Sequence, residues 1–262
     1  MPETISFPST YEGVRQLVER LRGPDGCPWD REQTSESLKH LLLEECYELV
    51  EAIEENDPSK MVEELGDVFL HLALQIQIGT EAGRFTGDQV FGGMVDKYVR
   101  RHPHVFGNDR MEDASEAVPR WDELKRKERE GSTKSTLDDL PKGMPALSYA
   151  RAVQDRAARM GFDWEDYRGV IDKVSEELRE LEDAESSEER ESELGDILFS
   201  VVNASRWLGA EAETALRLSN RRFYTRFTTM ERLCRERGES FKDLPLERKE
   251  QLWEEAKAIE RE

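Results

Sequence analysis

Cysteine, strand-like alternation and long apolar runs are all scarce in this chain of 262 residues, and basic residues are too few to balance the acidic ones. Cys27, Cys46 and Cys234 are an odd number with no metal-type spacing, which argues against a disulfide framework and fits a reducing cytoplasm. No run approaches the ~18 apolar residues of a membrane span. The opening MPETISFPSTYEG has no basic region followed by an apolar one, so no secretory signal is expected. Basic residues number 38 against 58 acidic ones, a net charge of −20; phosphate repulsion then disfavours polynucleotide binding. β-branched alternating runs are few, so a sheet is not supported. With 37% hydrophobic and 37% charged residues and a mean hydropathy of −0.77, a single large core is disfavoured. Helices each buried on one face suit this composition. Solubility explains most of the acids.

The pattern reads as all-α, with helices over about 9–22, 33–55, 58–82, 88–101 and 115–130, then about 145–160, 167–185, 187–208, 211–235 and 245–261. Asp57-Pro58 is a helix start, with Asp as cap and Pro in the first turn. The stretch GSTKSTLDDLPKGMP is rich in Gly, Ser, Thr and Pro and reads as a linker. The expected organisation is one domain over 1–130, a linker over 131–144 and a second domain over 145–262.

An ordered series of motifs occurs twice. Glu44-Glu45-x-x-Glu48 matches Glu176-Glu177-x-x-Glu180, an offset of 132 (176 − 44). Glu64-Leu65-Gly66-Asp67 matches Glu193-Leu194-Gly195-Asp196, an offset of 129 (193 − 64). Lys97-Tyr98 with Arg101 aligns with Arg222-Phe223 and Arg226, and Trp121-x-x-x-Lys125 with Trp253-x-x-x-Lys257. In so acidic a chain, three acids at a fixed spacing arise by chance at about 1% of positions, so one EExxE means little. The whole series in the same order, twice, identifies two copies of one helical unit.

At 100° per residue, Glu45 lies about 20° from Leu38 and inside the apolar stripe, Glu48 lies on the edge and Glu44 outside it. Measured from Val170, Glu177, Glu180 and Glu176 take the same three positions. A carboxylate within an apolar stripe is costly unless it is paired or holds a metal. Glu64 and Asp67 share a helix face, as do Glu193 and Asp196. Gly66 and Gly195, each mid-helix, suggest a point of tight packing or close approach.

Two facing helices, each with a carboxylate pair, would give four oxygen donors, which suit Mg²⁺ or Mn²⁺ better than Zn²⁺. A di-iron site would need Glu-x-x-His, which does not occur. His71 follows Asp67 by four residues, but its counterpart is Ser200, so it is read as a satisfied structural histidine. Phosphates near such a site need facing cations. Lys97, Arg101, Lys125, Arg222, Arg226 and Lys257 are the candidates, with Trp121, Trp253 and Asn220 as substrate contacts. The two tryptophans suit the core equally well.

These motifs resemble MazG, the all-α nucleoside triphosphate pyrophosphohydrolase family, in two tandem domains covering nearly the whole chain. The segments GCPWD (Gly26 to Asp30) and RRHPHVFG (Arg100 to Gly107) carry the likeness further. The resemblance implies helical bundles, homodimers, and Mg²⁺-dependent hydrolysis of NTPs to NMP and pyrophosphate. It places metal on Glu45, Glu48, Glu64 and Asp67, and on Glu177, Glu180, Glu193 and Asp196. Glu44 and Glu176 would be supporting acids or water-orienting bases. The expected chemistry is attack of water on phosphorus, with metal and Lys/Arg offsetting phosphate charge. The copies differ in acid-to-acid spacing, 16 (64 − 48) against 13 (193 − 180), and only the first has the HPHVF motif. Two other readings stand beside this one: a dUTP- or modified-nucleotide-specific pyrophosphatase, and a non-catalytic acidic helical scaffold.

Overall fold

The structure, a computed structural model, describes residues 6–111, 113, 120, 121, 124 and 135–261. Among these the architecture is all-α, without a strand. The chain divides into two compact units, Met1–Gly131 and Ser132–Glu262.

The first unit contains α1 (Tyr11–Arg22), α2 (Pro28–Glu32), α3 (Ser35–Glu55), α4 (Pro58–Glu81), α5 (Gly87–Arg101) and α6 (Pro103–Phe106). Helix α4 packs against α3, α1 and α5. Val18, Leu38, Leu74 and Ile78 are its buried centre, flanked by Leu41, Leu70 and Ala73. The hairpin of α3 and α4 is set by its ends. Thr34 and Ser37 form a reciprocal cap at the start of α3. Asn56 takes the left-handed conformation (φ 52°) that closes α3, and the Asp57 carboxylate accepts from the backbone of Ser59 and Lys60. Such caps satisfy helix-end groups that would otherwise need water.

The second unit contains α7 (Ala146–Arg159), α8 (Tyr167–Asp183), α9 (Ser187–Trp207), α10 (Ala212–Arg237) and α11 (Leu246–Glu260), with a 3-10 turn at Phe241–Asp243. Helices α8 and α9 form the hairpin equivalent to α3 and α4, and α10 packs on α7 and α11. Asp166 caps α8, and Ser186 with Glu189 caps α9 reciprocally. Met230, Leu233, Cys234, Leu252 and Ala256 form a core between α10 and α11.

Several expectations change. The segment 135–144, expected as linker, packs with the second unit: Leu140 is buried, and Arg156 donates to the Thr136 carbonyl at 2.7 Å. Helices α2 and α6 and the 3-10 turn were not expected, because so few residues cannot display a helical period. The helix expected over about 115–130 lies largely outside the described residues, as does Lys125. Gly66 and Gly195 are not points of tight packing: a Cβ on either would meet no described atom within 4 Å.

Candidate metal centres

In the first unit, α3 supplies Glu45 and Glu48 and α4 supplies Glu64; ligand oxygens of the three lie within 4.8 Å of one another. In the second unit, α8 supplies Glu177 and Glu180 and α9 supplies Glu193, in the same mutual relation. The matching positions in the two copies thus converge, although the sequence between the paired motifs differs in length. That difference is taken up at the hairpin tip. Helix α3 runs seven residues beyond Glu48 (55 − 48), and α8 only three beyond Glu180 (183 − 180).

Burial follows the helical wheel. Glu177 is 4% exposed and Glu45 half-buried, whereas Glu48 and Glu180 are exposed at the edge. Desolvation, then the charges of Asp67 and Glu48, raises the Glu45 carboxyl above the usual carboxylate range. Glu64 is raised by desolvation and then by Glu48, and Glu180 by desolvation and then by Glu177. Like charges held close together with little water favour a proton or a cation between them.

Asp67 acts on Glu45 through its charge but falls outside the three-carboxylate group. Asp196, at the equivalent place, is exposed and also outside its group. Glu44 and Glu176 are exposed; Glu176 pairs with Lys173 at 2.7 Å, which lowers its carboxyl.

The expected cations lie variously. Lys97 sits over the ring of Tyr98, 5.3 Å from its centre. Arg101 is half-buried, and Arg222 and Asn220 are exposed on α10. Arg226 donates to Glu260 at 2.7 Å and lies over Trp253, which packs on the core and touches Phe223. Lys257 pairs with Glu254 at 2.5 Å. Trp121 is half-buried.

Two further residues, Lys173 and His71, stand at these centres. Lys173 of α8 reaches Glu177 Oε1 at 2.8 Å as well as Glu176. Its only sequence signal is a Lys three and four residues ahead of acids, the common surface pairing on a helix. His71 is buried, but it is not a satisfied histidine among the described residues: its Nδ1 has no hydrogen-bond partner there, and its Nε2 faces Glu45 Oε1 at 3.7 Å.

The residues fit a divalent cation. Each group offers three oxygen donors at the separations one ion can bridge, their charges repel one another, and all-carboxylate sets suit hard cations. A helical hairpin carrying such a group occurs in each of the two units, which defines an all-α protein with two equivalent candidate metal centres.

Comparison with known proteins narrows that class. Residues 33–106 match the model of the MazG nucleotide pyrophosphohydrolase domain. The chain is 44% identical over 247 residues to the nucleoside triphosphate pyrophosphohydrolase/pyrophosphatase MazG of Thermotoga maritima, covering 94% of this chain and 95% of that protein. It is 39% identical over 251 residues to the nucleoside triphosphate pyrophosphohydrolase of Escherichia coli K12, covering 93% and 95%. The crystal structure of a mazG-related protein from Thermotoga maritima aligns with 44% of this chain and 98% of its own length, at 28% identity and a TM-score of 0.39. The chain belongs to the MazG nucleotide pyrophosphohydrolase family.

Proposed function

We propose that the protein hydrolyses nucleoside triphosphates to nucleoside monophosphate and pyrophosphate with Mg²⁺, Mn²⁺ being an alternative. The observation that carries this reading is the pair of three-carboxylate groups at equivalent places in the two units, Glu45 with Glu48 and Glu64, and Glu177 with Glu180 and Glu193. Glu45 and Glu177 take the same place on the apolar face in both units, although only Glu177 has a lysine beside it, and a shared metal role accounts for that recurrence where a scaffold does not.

These carboxylates would hold the ion, and Asp67 and Asp196 on the same helices would add negative charge beside it. When bound, the metal supplies Lewis acidity and offsets the charge of the phosphates. Lys97, Arg101, Lys125, Arg222, Arg226 and Lys257 are assigned to the phosphates, where basic side chains stabilise charge in phosphoryl transfer. Glu44 and Glu176, exposed next to Glu45 and Glu177, are assigned as supporting acids or as bases that orient the attacking water and accept its proton. In the overall reaction a water oxygen bonds to the α phosphorus, the α–β anhydride bond breaks, and pyrophosphate leaves. Trp121, Trp253 and Asn220 are assigned to the nucleoside.

The domain reading is two MazG-like units, one per repeat, in a chain acting in the cytoplasm as a homodimer. Leu65 and Leu72 on α4, and Leu194, Leu198 and Val201 on α9, are each 45–53% exposed. Repeated apolar exposure of this kind suits pairing with a second copy. Light scattering is expected to give twice the chain mass.

Chromatography of each NTP after incubation with protein and Mg²⁺ tests the activity. NMP and pyrophosphate are expected, with loss on chelation and in the Glu45→Gln, Glu177→Gln double variant. Release of orthophosphate with NDP would overturn the assigned cleavage point. Unchanged turnover in the double variant would overturn the metal assignment.

A further inference from the structure

The two centres carry the same acids but different neighbours. In the second, the ammonium of Lys173 lies 2.8 Å from Oε1 of Glu177, whose side chain is 6% exposed. The repeat offset of 132 places Leu41 at the matching position of the first unit (173 − 132), and Leu41 packs against the apolar core. Glu45 there faces the imidazole of His71 instead, at 3.7 Å, beyond hydrogen-bond distance. Position 200 of the second unit is serine. One centre therefore has a full positive charge on its most buried acid, and the other has no ammonium at that place among the described residues.

We propose that Lys173 is a built-in counter-cation that makes the second carboxylate centre a weaker and displaceable site for divalent metal than the first. This rests on the reading of both groups as metal centres. An ion entering the second centre must either expel the ammonium from Glu177 or accept its repulsion, and both reduce affinity. Displacement is feasible because the Lys173 side chain is 35% exposed and also holds the exposed Glu176 at 2.7 Å. The stem can thus swing outward and keep one partner. The first centre loads without such a step. Two repeats of one unit then differ in metal demand, and the second fills only at higher metal concentration.

The test is titration of the full-length chain with Mn²⁺, following free Mn²⁺ by electron paramagnetic resonance. Glu45→Gln with Glu64→Gln isolates the second centre, and Glu177→Gln with Glu193→Gln isolates the first. The first centre is expected to bind about tenfold more tightly than the second, the scale of one nearby unit charge. Lys173→Met should raise the affinity of the second centre by about tenfold and leave the first unchanged, while Lys173→Arg should keep it weak. In the chain with all carboxylates intact, two binding phases should merge into one on Lys173→Met, or on Lys173→Gln should the Met variant fail to fold. Equal affinities that neither neutral substitution moves would overturn this proposal and leave the metal reading standing. Absence of Mn²⁺ binding at both centres would overturn the metal reading itself, and this inference with it.

Discussion

Nε2 of His71 lies 3.7 Å from Oε1 of Glu45, and His71 Nδ1 has no hydrogen-bond partner among the described residues. A buried imidazole with an unmet nitrogen adds little net stability through polar contacts, because desolvation of that nitrogen offsets them. Its volume, in contrast, fills space on the buried face of α4. His71→Leu is therefore expected to change unfolding stability by less than ~1 kcal/mol. His71→Ala should cost roughly 2–4 kcal/mol through the cavity left behind. Urea midpoints measured without added metal check both. A large loss in His71→Leu would mean that the imidazole holds the fold through its polarity.

Arg22 ties three elements together at the end of α1. Its side chain is 7% exposed, pairs with Glu81 of α4 at 2.7 Å, and donates to the carbonyls of Gln33 (3.1 Å) and Asp30. Arg22→Met should cost about 2–3 kcal/mol, because carbonyls paired with a charged donor lose it. Glu81→Gln should cost less than ~1 kcal/mol, since that carboxylate is 37% exposed. Denaturant unfolding of the two variants separates the roles of the partners. Equal losses would mean that the ion pair, and not the carbonyl contacts, carries the effect.

Asp163 gives a pH signature to the second unit. Arg206 donates to its carboxylate from α9 at 2.9 Å, and this contact holds Asp163 below the usual carboxylate range. The folded pKa lies below the unfolded value of about 3.9, so the unfolded chain binds more protons and stability rises with pH. The contribution is present above the unfolded pKa and is lost as pH falls through the folded one. Asp163→Asn should therefore flatten the acid limb of stability below about pH 4. Helicity followed by circular dichroism from pH 7 to 2 measures this. An acid limb as steep as in the unsubstituted chain would assign the loss to other carboxylates.

The helical wheel reads the candidate site well within a helix and poorly between helices. It orders Glu177, Glu180 and Glu176 from buried to exposed, because one period fixes all three. Asp67 shares a face with Glu64, yet it lies outside the group that Glu64 joins. Which of two face-sharing acids meets the opposite helix depends on register across the hairpin, and a single helix's period holds no such information. Caps at Thr34, Asp57 and Ser186 put the helix starts within reach of the sequence, whereas α2 and α6 are too short to show a period. Lys173 was hidden for another reason. Its spacing is that of an ordinary surface pair, and only the burial of Glu177 gives it consequence.

Gly66 and Gly195 show where the pattern misleads. Glycine inside a helix costs roughly 1 kcal/mol relative to alanine, so two mid-helix glycines at matching places suggest a crowded contact. The space beside each is open to 4 Å among the described residues. Alanine at either position therefore meets no steric penalty within the chain and restricts the unfolded state. Each substitution should stabilise its unit by about 0.5–1 kcal/mol, which raises the melting temperature by roughly 1–4 °C in a chain of this size. Thermal unfolding of Gly66→Ala and Gly195→Ala checks the direction. A lowered melting temperature would mean that this helix face packs closely in solution against something outside the described chain, such as a second copy, and that the glycines are kept for that contact.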